Sequence, residues 1–300
     1  MSFRKYDSQI NVENTYKKML QNHTLKYLKD MKIKFNPTKK CNIWDIIKKF
    51  NSIIDESDPD SDLPQIVHAY QTAESIKNKF LNNDFTLKNI EIKTLFSKDE
   101  WFNLPEKYKT EYETTLNNYY SSIKCWDWLY LVGFIHDLGK IMLCDDFGGL
   151  PQWSVVGDTF PLGQKLDKSY IYEKNNFHYA NNDLLTDTYK ELCGFESLKM
   201  NWGHDEYLAT ILERNSCEIP KQGIYIIRFH SFYSWHTPPN NISRGYEKLA
   251  SNYDWYMLPL LKLFQKSDLY SKTRDIPVEN EIINNLTPLI KKYSCEELLW

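Results

Sequence analysis

Long apolar runs are missing from this 300-residue sequence. Its best candidate for a bilayer crossing, Trp126 to Leu143, is interrupted by Asp127, His136, Asp137 and Lys140, so no membrane span is expected. Paired cysteines are missing too. Cys41, Cys125, Cys144, Cys193, Cys217 and Cys295 are scattered with no CxxC spacing, which argues against a zinc ribbon or disulfide frame and for reduced thiols in a cytoplasmic protein. The first residues carry no apolar stretch of the kind a signal peptide needs. Charge of one sign is also scarce: 37 basic against 40 acidic residues give a net charge of −3, with no broad basic face for nucleic acid. With 10 glycines and 12 prolines, collagen-like and low-complexity chains are excluded. What is present is a 42% hydrophobic, 15% aromatic composition, sufficient for a core that needs no covalent staple. Small molecules are the expected partners.

Helical spacing dominates wherever a pattern is clear, so the chain is expected to be mostly α. After Leu63, Pro64 suits a first helical turn, and Ile66, Ala69, Tyr70, Ala73, Ile76 and Phe80 recur on one face. Trp126 to Leu143 is apolar almost all round, as in a helix enclosed by others. Gly203 to Glu213, Pro220 to Phe232 and Asp254 to Tyr270 also read as helices, with Pro259 kinking the last or marking its start. Residues 81–124, rich in Asn, Lys and Glu, read as a surface insertion, and 151–179 as a long loop with a short hairpin. The chain is divided provisionally into N-terminal helices and a substrate-covering segment (1–62), a core (63–275) and a C-terminal segment (276–300), all within one domain.

The chemistry concentrates on a few polar residues in apolar company. His136 and Asp137 lie on the most apolar segment, where an uncompensated carboxylate is costly, so a metal or a charged partner is expected there. A single His-Asp pair also fits a buried imidazole beside a salt-bridged carboxylate, and His204-Asp205 is a second such pair. His68 and His204 stand near helix starts, His230 shares a face with Ile226 and Ile227, and Asp268 follows Phe264 and Leu261 on an apolar face. Each alone is explained by packing. Together, four histidines and two aspartates from five helices resemble a metal site built inside a bundle. Imidazoles and carboxylates without thiolate suit non-haem iron or manganese, and also accept zinc.

The order His, His-Asp, His, His, Asp resembles the HD-domain superfamily, and the flanking residues narrow it. His68-Ala69-Tyr70-Gln71-Thr72-Ala73-Glu74, Gly133-Phe134-Ile135-His136-Asp137-Leu138-Gly139-Lys140 and Trp153-Ser154-Val155-Val156-Gly157-Asp158-Thr159-Phe160-Pro161 are similar to segments of the myo-inositol oxygenase family. So are Trp202-Gly203-His204-Asp205-Glu206-Tyr207 and Arg228-Phe229-His230-Ser231-Phe232-Tyr233. The likeness runs from Phe3 to Trp300. It implies an HD-type helical bundle around a dinuclear site with minor hairpin and loop elements. It also implies two iron ions per chain, mixed-valent Fe(II)/Fe(III) in the active form. His68, His136 and Asp268 would hold one, His204 and His230 the other, with Asp137 bridging.

The same resemblance assigns Asp55, Glu56 and Ser57 to the substrate pocket, with Gly157, Asp158, Ser231 and His230 beside it and Arg4 reaching over it. Independently, a calcium loop starting at Asp58 fails, because Leu63 and Ala69 stand where Gly and the terminal Glu are required. Carboxylates and hydroxyls are apt receptors for a polyol. Lys140, one turn beyond His136, is placed to act catalytically by charge alongside Asp137. His23, His178 and His236 are read as packing or surface residues. The long connection between His68 and His136, attributed to 81–124, departs from the animal members of the family. The expected activity is cleavage of myo-inositol by O2 to D-glucuronate, in a cytoplasmic monomer with no nucleic-acid or membrane partner. The alternative is an HD-type metal-dependent phosphohydrolase, which would want more basic residues than Lys140 and Arg4.

Overall fold

A computed structural model describes residues 10–35, 37–57, 64–170, 179, 189–238, 244–269 and 279–300. Arg4, His178 and the acidic residues 58–62 lie outside this set. The fold is mostly helical, as the periodicity predicts. Helices α1 (Ile10–Asn22) and α2 (Leu25–Lys34) are separated by Thr24, whose hydroxyl accepts the Tyr27 N–H and caps α2. Strand β1 (Lys40–Asn42) leads into α3 (Ile43–Lys49), and α4 runs from Gln65 to Phe80 with Pro64 at its cap. Then come α5 (Lys98–Asn103), α6 (Glu106–Glu111), a π-helical turn (Tyr112–Leu116) and α7 (Asn117–Ser122). Helix α8 (Asp127–Ile135) is followed by a 3-10 segment (Leu138–Leu143) and the short α9 (Gln152–Val155). The remainder is α10 (His204–Arg214), α11 (Lys221–Phe229), α12 (Tyr233–His236), α13 (Asn252–Asp268), α14 (Glu279–Lys292) and β2 (Glu297–Leu299).

Helix α8 is the axle of the bundle. Every residue from Asp127 to Ile135 is buried, and α4, α11 and α14 pack around it. Burying each large aliphatic there contributes roughly 1.5–3 kcal/mol. Its one acid, Asp127, is compensated by the Lys292 ammonium at 2.6 Å and the Tyr293 hydroxyl at 2.5 Å, which fasten the end of α14 to the start of α8. β2 pairs antiparallel with β1, Lys40 opposite Leu299, tying the C-terminal strand to the N-terminal region.

Several boundaries differ from the sequence expectation. Trp126 to Leu143 is not one helix: α8 stops at Ile135, and the chain tightens into the 3-10 segment after Asp137. This tightening brings Gly139 against α10 so closely that a Cβ there would lie 2.0 Å from the His204 carbonyl oxygen. Pro220 to Phe232 likewise breaks, α11 ending before His230 and α12 following. Helix α13 starts earlier than expected, capped reciprocally by Ser251 and Asp254, and carries Pro259 inside it. Within 151–170, the expected hairpin is replaced by α9 and one isolated bridge from Pro161 to Met200.

The surface character expected of 81–124 holds for its polar residues only. Ile92, Leu95, Tyr112 and Tyr120 are buried, Tyr112 fully. The Tyr112 hydroxyl donates to the Trp255 carbonyl at 2.5 Å, and Lys262 of α13 donates to Glu100 at 2.5 Å. Aromatic stacking of Tyr108 on Trp255, with centroids 4.5 Å apart, completes the contact. The segment is therefore packed into α13.

Candidate metal centre

Five elements converge on one buried cavity. His68 lies in the first turn of α4, His136 caps the C-terminal end of α8 with Asp137 next to it, His204 opens α10, His230 caps α11, and Asp268 closes α13. None of the six is more than 6% exposed. Asp137 stands between the histidines with its two oxygens divided. Oδ2 lies 3.7 Å from His68 Nε2 and 3.5 Å from His136 Nε2. Oδ1 lies 3.3 Å from His204 Nε2 and 3.5 Å from His230 Nε2. Asp268 Oδ1 adds a second carboxylate to the first group, 2.9 Å from His68 Nε2 and 3.4 Å from His136 Nε2. Two three-residue groups able to hold a metal result, sharing Asp137, with the donor atoms of each within 4.8 Å of one another.

The imidazoles are oriented by the backbone. Nδ1–H donates to the Gly133 carbonyl from His136 at 2.9 Å, to the Val155 carbonyl from His204 at 2.8 Å, and to the Ile227 carbonyl from His230 at 2.9 Å. Each bond holds its ring so that Nε2 is turned toward Asp137, as in metal-ligating histidines. His136 Nε2 is buried with no hydrogen-bond partner among the described residues, which is costly unless an electrophile occupies that direction. Donor set and orphaned nitrogen both fit a metal.

Charge balance points the same way. Burial opposes ionisation of Asp137, but the positive charges of Lys140 and then His136 hold its carboxyl well below the usual range. For Asp268, burial is outweighed by the adjacent His136 and His68 imidazoles, and the carboxyl is again held well below the usual range. Burial pulls the His204 imidazole down, yet the Asp205 carboxylate raises it to about 10. The cavity thus demands more positive charge than Lys140 supplies, a demand met by protons or by a cation that displaces them.

The residues assigned to substrate divide into those the fold brings to the cavity and those it does not. Asp55, Ser57, Lys140, Gly157, Asp158 and Ser231 all line it. Lys140, 6% exposed, donates to Asp137 Oδ2 at 2.7 Å, Asp55 Oδ2 at 2.7 Å and Gln65 Oε1 at 2.9 Å. Asp55 also accepts from the Ser57 hydroxyl at 2.6 Å. Gly157 has φ +90, open to glycine at little cost, and a Cβ there would meet Met19 Sδ at 3.0 Å. Glu56 is not among the residues lining the cavity: its side chain is exposed, and its backbone N–H donates to Gln152 Oε1 at 3.3 Å. It precedes the buried Ser57 in a turn that points its side chain outward. His23 and His236 are buried packing residues, His236 Nε2–H donating to the His230 carbonyl at 2.8 Å.

Three residues escaped the sequence reading. Asp205, 1% exposed, lies 2.6 Å from His204 Nε2 and accepts from the Thr159 hydroxyl at 2.8 Å. Its signal was the second His-Asp pair. Tyr16 donates to Asp158 Oδ1 at 2.6 Å, and Gln65 receives Lys140; neither stands in a recognisable pattern. The Tyr16–Asp158 and Lys140–Asp55 pairs both border the cavity.

A helical bundle with two histidine pairs sharing one buried carboxylate defines a class of metal-capable α-helical proteins. A sequence profile described as myo-inositol oxygenase matches residues 9–97 and 117–300. Inositol oxygenase 4 of Arabidopsis thaliana is 34% identical over 309 residues, covering 99% of this chain and 82% of that protein. The inositol oxygenases of Dictyostelium discoideum and Mus musculus are each 35% identical over 311 residues. They cover 99% and 100% of this chain, and 89% and 91% of their own lengths. The chain belongs to the myo-inositol oxygenase family and is an oxidoreductase. The unmatched stretch, 98–116, falls inside the segment packed on α13.

Proposed function

We propose that this enzyme cleaves the ring of myo-inositol with O2 to give D-glucuronate at a non-haem di-iron centre. The observation that carries the reading is the division of Asp137, one oxygen toward His68 and His136 and the other toward His204 and His230. One iron would be held by His68, His136, Asp268 and Asp137, the other by His204, His230 and Asp137. A mixed-valent pair supplies the redox chemistry with O2 and open positions for vicinal hydroxyls.

The chain's own residues bind and orient. Asp55, Ser57, Asp158 and Ser231 offer directional acceptors and donors suited to ring hydroxyls, and Tyr16 positions Asp158. The Lys140 ammonium, kept protonated by Asp137 and Asp55 against the opposing effect of burial, lowers the cost of negative charge on a nearby substrate oxygen. The apolar helices behind the histidines exclude bulk water. Arg4 is assigned to the cover of the same pocket. Among the described residues no helix is long and apolar enough to cross a membrane; the reading places a monomer in the cytoplasm. Among the described lining residues Lys140 is the one lysine, and it is spoken for by two carboxylates, which disfavours a phosphate-ester substrate.

The deciding experiment loads the purified protein with iron and follows O2 uptake and D-glucuronate formation as myo-inositol is added. Iron-replete protein that consumes no O2 with myo-inositol but hydrolyses a phosphomonoester would overturn the reading.

A further inference from the structure

A second cavity, of about 560 Å³, lies away from the histidines between the α6–α7 segment, the start of α8, α13 and Tyr293. Its walls are rich in aromatic rings, among them Tyr119, Tyr120, Trp126, Trp128, Tyr253 and Tyr256. Its size and its apolar lining with few polar groups are those of small-ligand pockets. Part of it is built by Glu111, Thr115 and Leu116, which belong to the stretch 98–116 that the family profile does not match. Thr115 and Leu116 sit in the π-helical turn that follows Glu111, an irregularity found often at functional sites.

Two polar valences in these walls are left over. Glu111 is the single charged lining residue, and its Oε2 is buried without a hydrogen-bond partner among the described residues. Trp126 is fully buried, and its indole N–H likewise has no partner among them. No lysine or arginine is among the described lining residues, and Lys292, next to Tyr293, is bound to Asp127. The Glu111 carboxylate does accept a hydrogen bond from the Tyr256 hydroxyl, which raises that hydroxyl's pKa above its ordinary value and leaves Oε2 as the unpartnered oxygen. A carboxylate set among aromatic rings is the chemistry that recognises an ammonium ion, by charge and by the negative faces of the rings. An apolar body on that ion would cover the remaining rings, and an acceptor on it would satisfy Trp126.

The geometry points to a binding site for an organic ammonium ion that carries an apolar body and one hydrogen-bond acceptor, separate from the histidine–aspartate centre and particular to the 98–116 stretch. Such a site belongs to this chain's own control or partnering rather than to ring cleavage.

Benzoylcholine is a suitable probe, because it combines a quaternary ammonium, an ester oxygen and a phenyl ring. Calorimetric titration of the full-length, iron-loaded protein is expected to show saturable binding of one probe per chain. Its carbon isostere, neohexyl benzoate, should bind at least about tenfold more weakly, and Glu111→Gln should weaken benzoylcholine by a similar factor with the unfolding midpoint unchanged. Tyr119→Ala, at the exposed rim, should weaken both probes and gives a second route if the Glu111 variant does not fold. Absence of saturable binding, equal affinity for the two probes, or displacement of benzoylcholine by myo-inositol would overturn the inference.

Discussion

The Lys140 ammonium lies 2.7 Å from Oδ2 of Asp137, the same oxygen that faces His68 and His136. One helical turn thus joins a candidate bridging carboxylate to the only lysine lining the cavity among the described residues. Lysine is outside the proposed iron-binding set, so Lys140→Ala is expected to keep both irons. Turnover should fall on the order of a hundredfold, the usual cost of losing one oriented charge at a developing anion. The buried Asp55 carboxylate loses its cation as well, so stability should drop by about 3 kcal/mol. Iron analysis, O2 uptake at saturating myo-inositol and urea unfolding check the three parts; wild-type turnover in an iron-replete variant sinks the assignment.

Asp137→Ala tests the bridge itself. Removing a carboxylate whose two oxygens face separate histidine pairs should reduce bound iron from two per chain to one or none, with turnover abolished. Metal analysis after gel filtration gives the answer, and retention of two irons would contradict a bridging role.

Glu100 and Lys262 connect the stretch unmatched by the family to the helix bearing Asp268. Burial draws the Lys262 ammonium down to about 8 even with Glu100 beside it. Glu100→Gln should therefore cost about 3 kcal/mol by stranding a buried charge. The double variant Glu100→Gln/Lys262→Met should recover most of that loss. Equilibrium urea unfolding measures both, and additive losses in the double variant would show that the pair is not coupled.

His23 gives a pH dependence whose sign is fixed. Burial lowers its pKa from 6.5 to about 4, although its ring donates to the Trp153 carbonyl at 3.1 Å. Between these values the unfolded chain binds more protons than the folded one, so His23 supports folding above 6.5 and loses that contribution as pH falls toward 4. Near pH 5 the loss is about 2 kcal/mol. His23→Phe, set among Tyr27, Trp153 and Phe160, should flatten the fall in stability between neutral and mildly acid pH by that amount. An unchanged slope in urea titrations at the two pH values would refute it.

The convergence of His68, His136, Asp137, His204, His230 and Asp268 was legible from several polar residues in apolar company, with His68 and His204 at helix starts, read together with the resemblance of their flanking segments to a known family. Lys140 followed from its spacing to His136. Other features were not legible because they depend on contacts between distant segments. Trp126 to Leu143 is apolar on all sides, a pattern that α-helix and 3-10 turns share, so nothing local marked the break at His136. The polar composition of 81–124 concealed Tyr112 and Tyr120, whose partners Trp255 and Tyr256 lie on α13. Asp205 repeated a dipeptide common enough to arise by chance, and only the fold shows it beside His204.

The donors around Asp137 arrive in chain order from the start of α4 to the last residue of α13. A ribosome making this chain must release nearly all of it before His68 can meet Asp268, and the β1–β2 pairing waits still longer for Leu299. The centre therefore cannot template early stages of folding in the way a local zinc knuckle does, and its assembly is a late, long-range event. Nascent chains stalled before α13 already carry Asp137 and all four histidine-bearing elements but lack Asp268, which leaves the group around His68 and His136 short of its second carboxylate over the interval when an abundant competing cation could be misloaded.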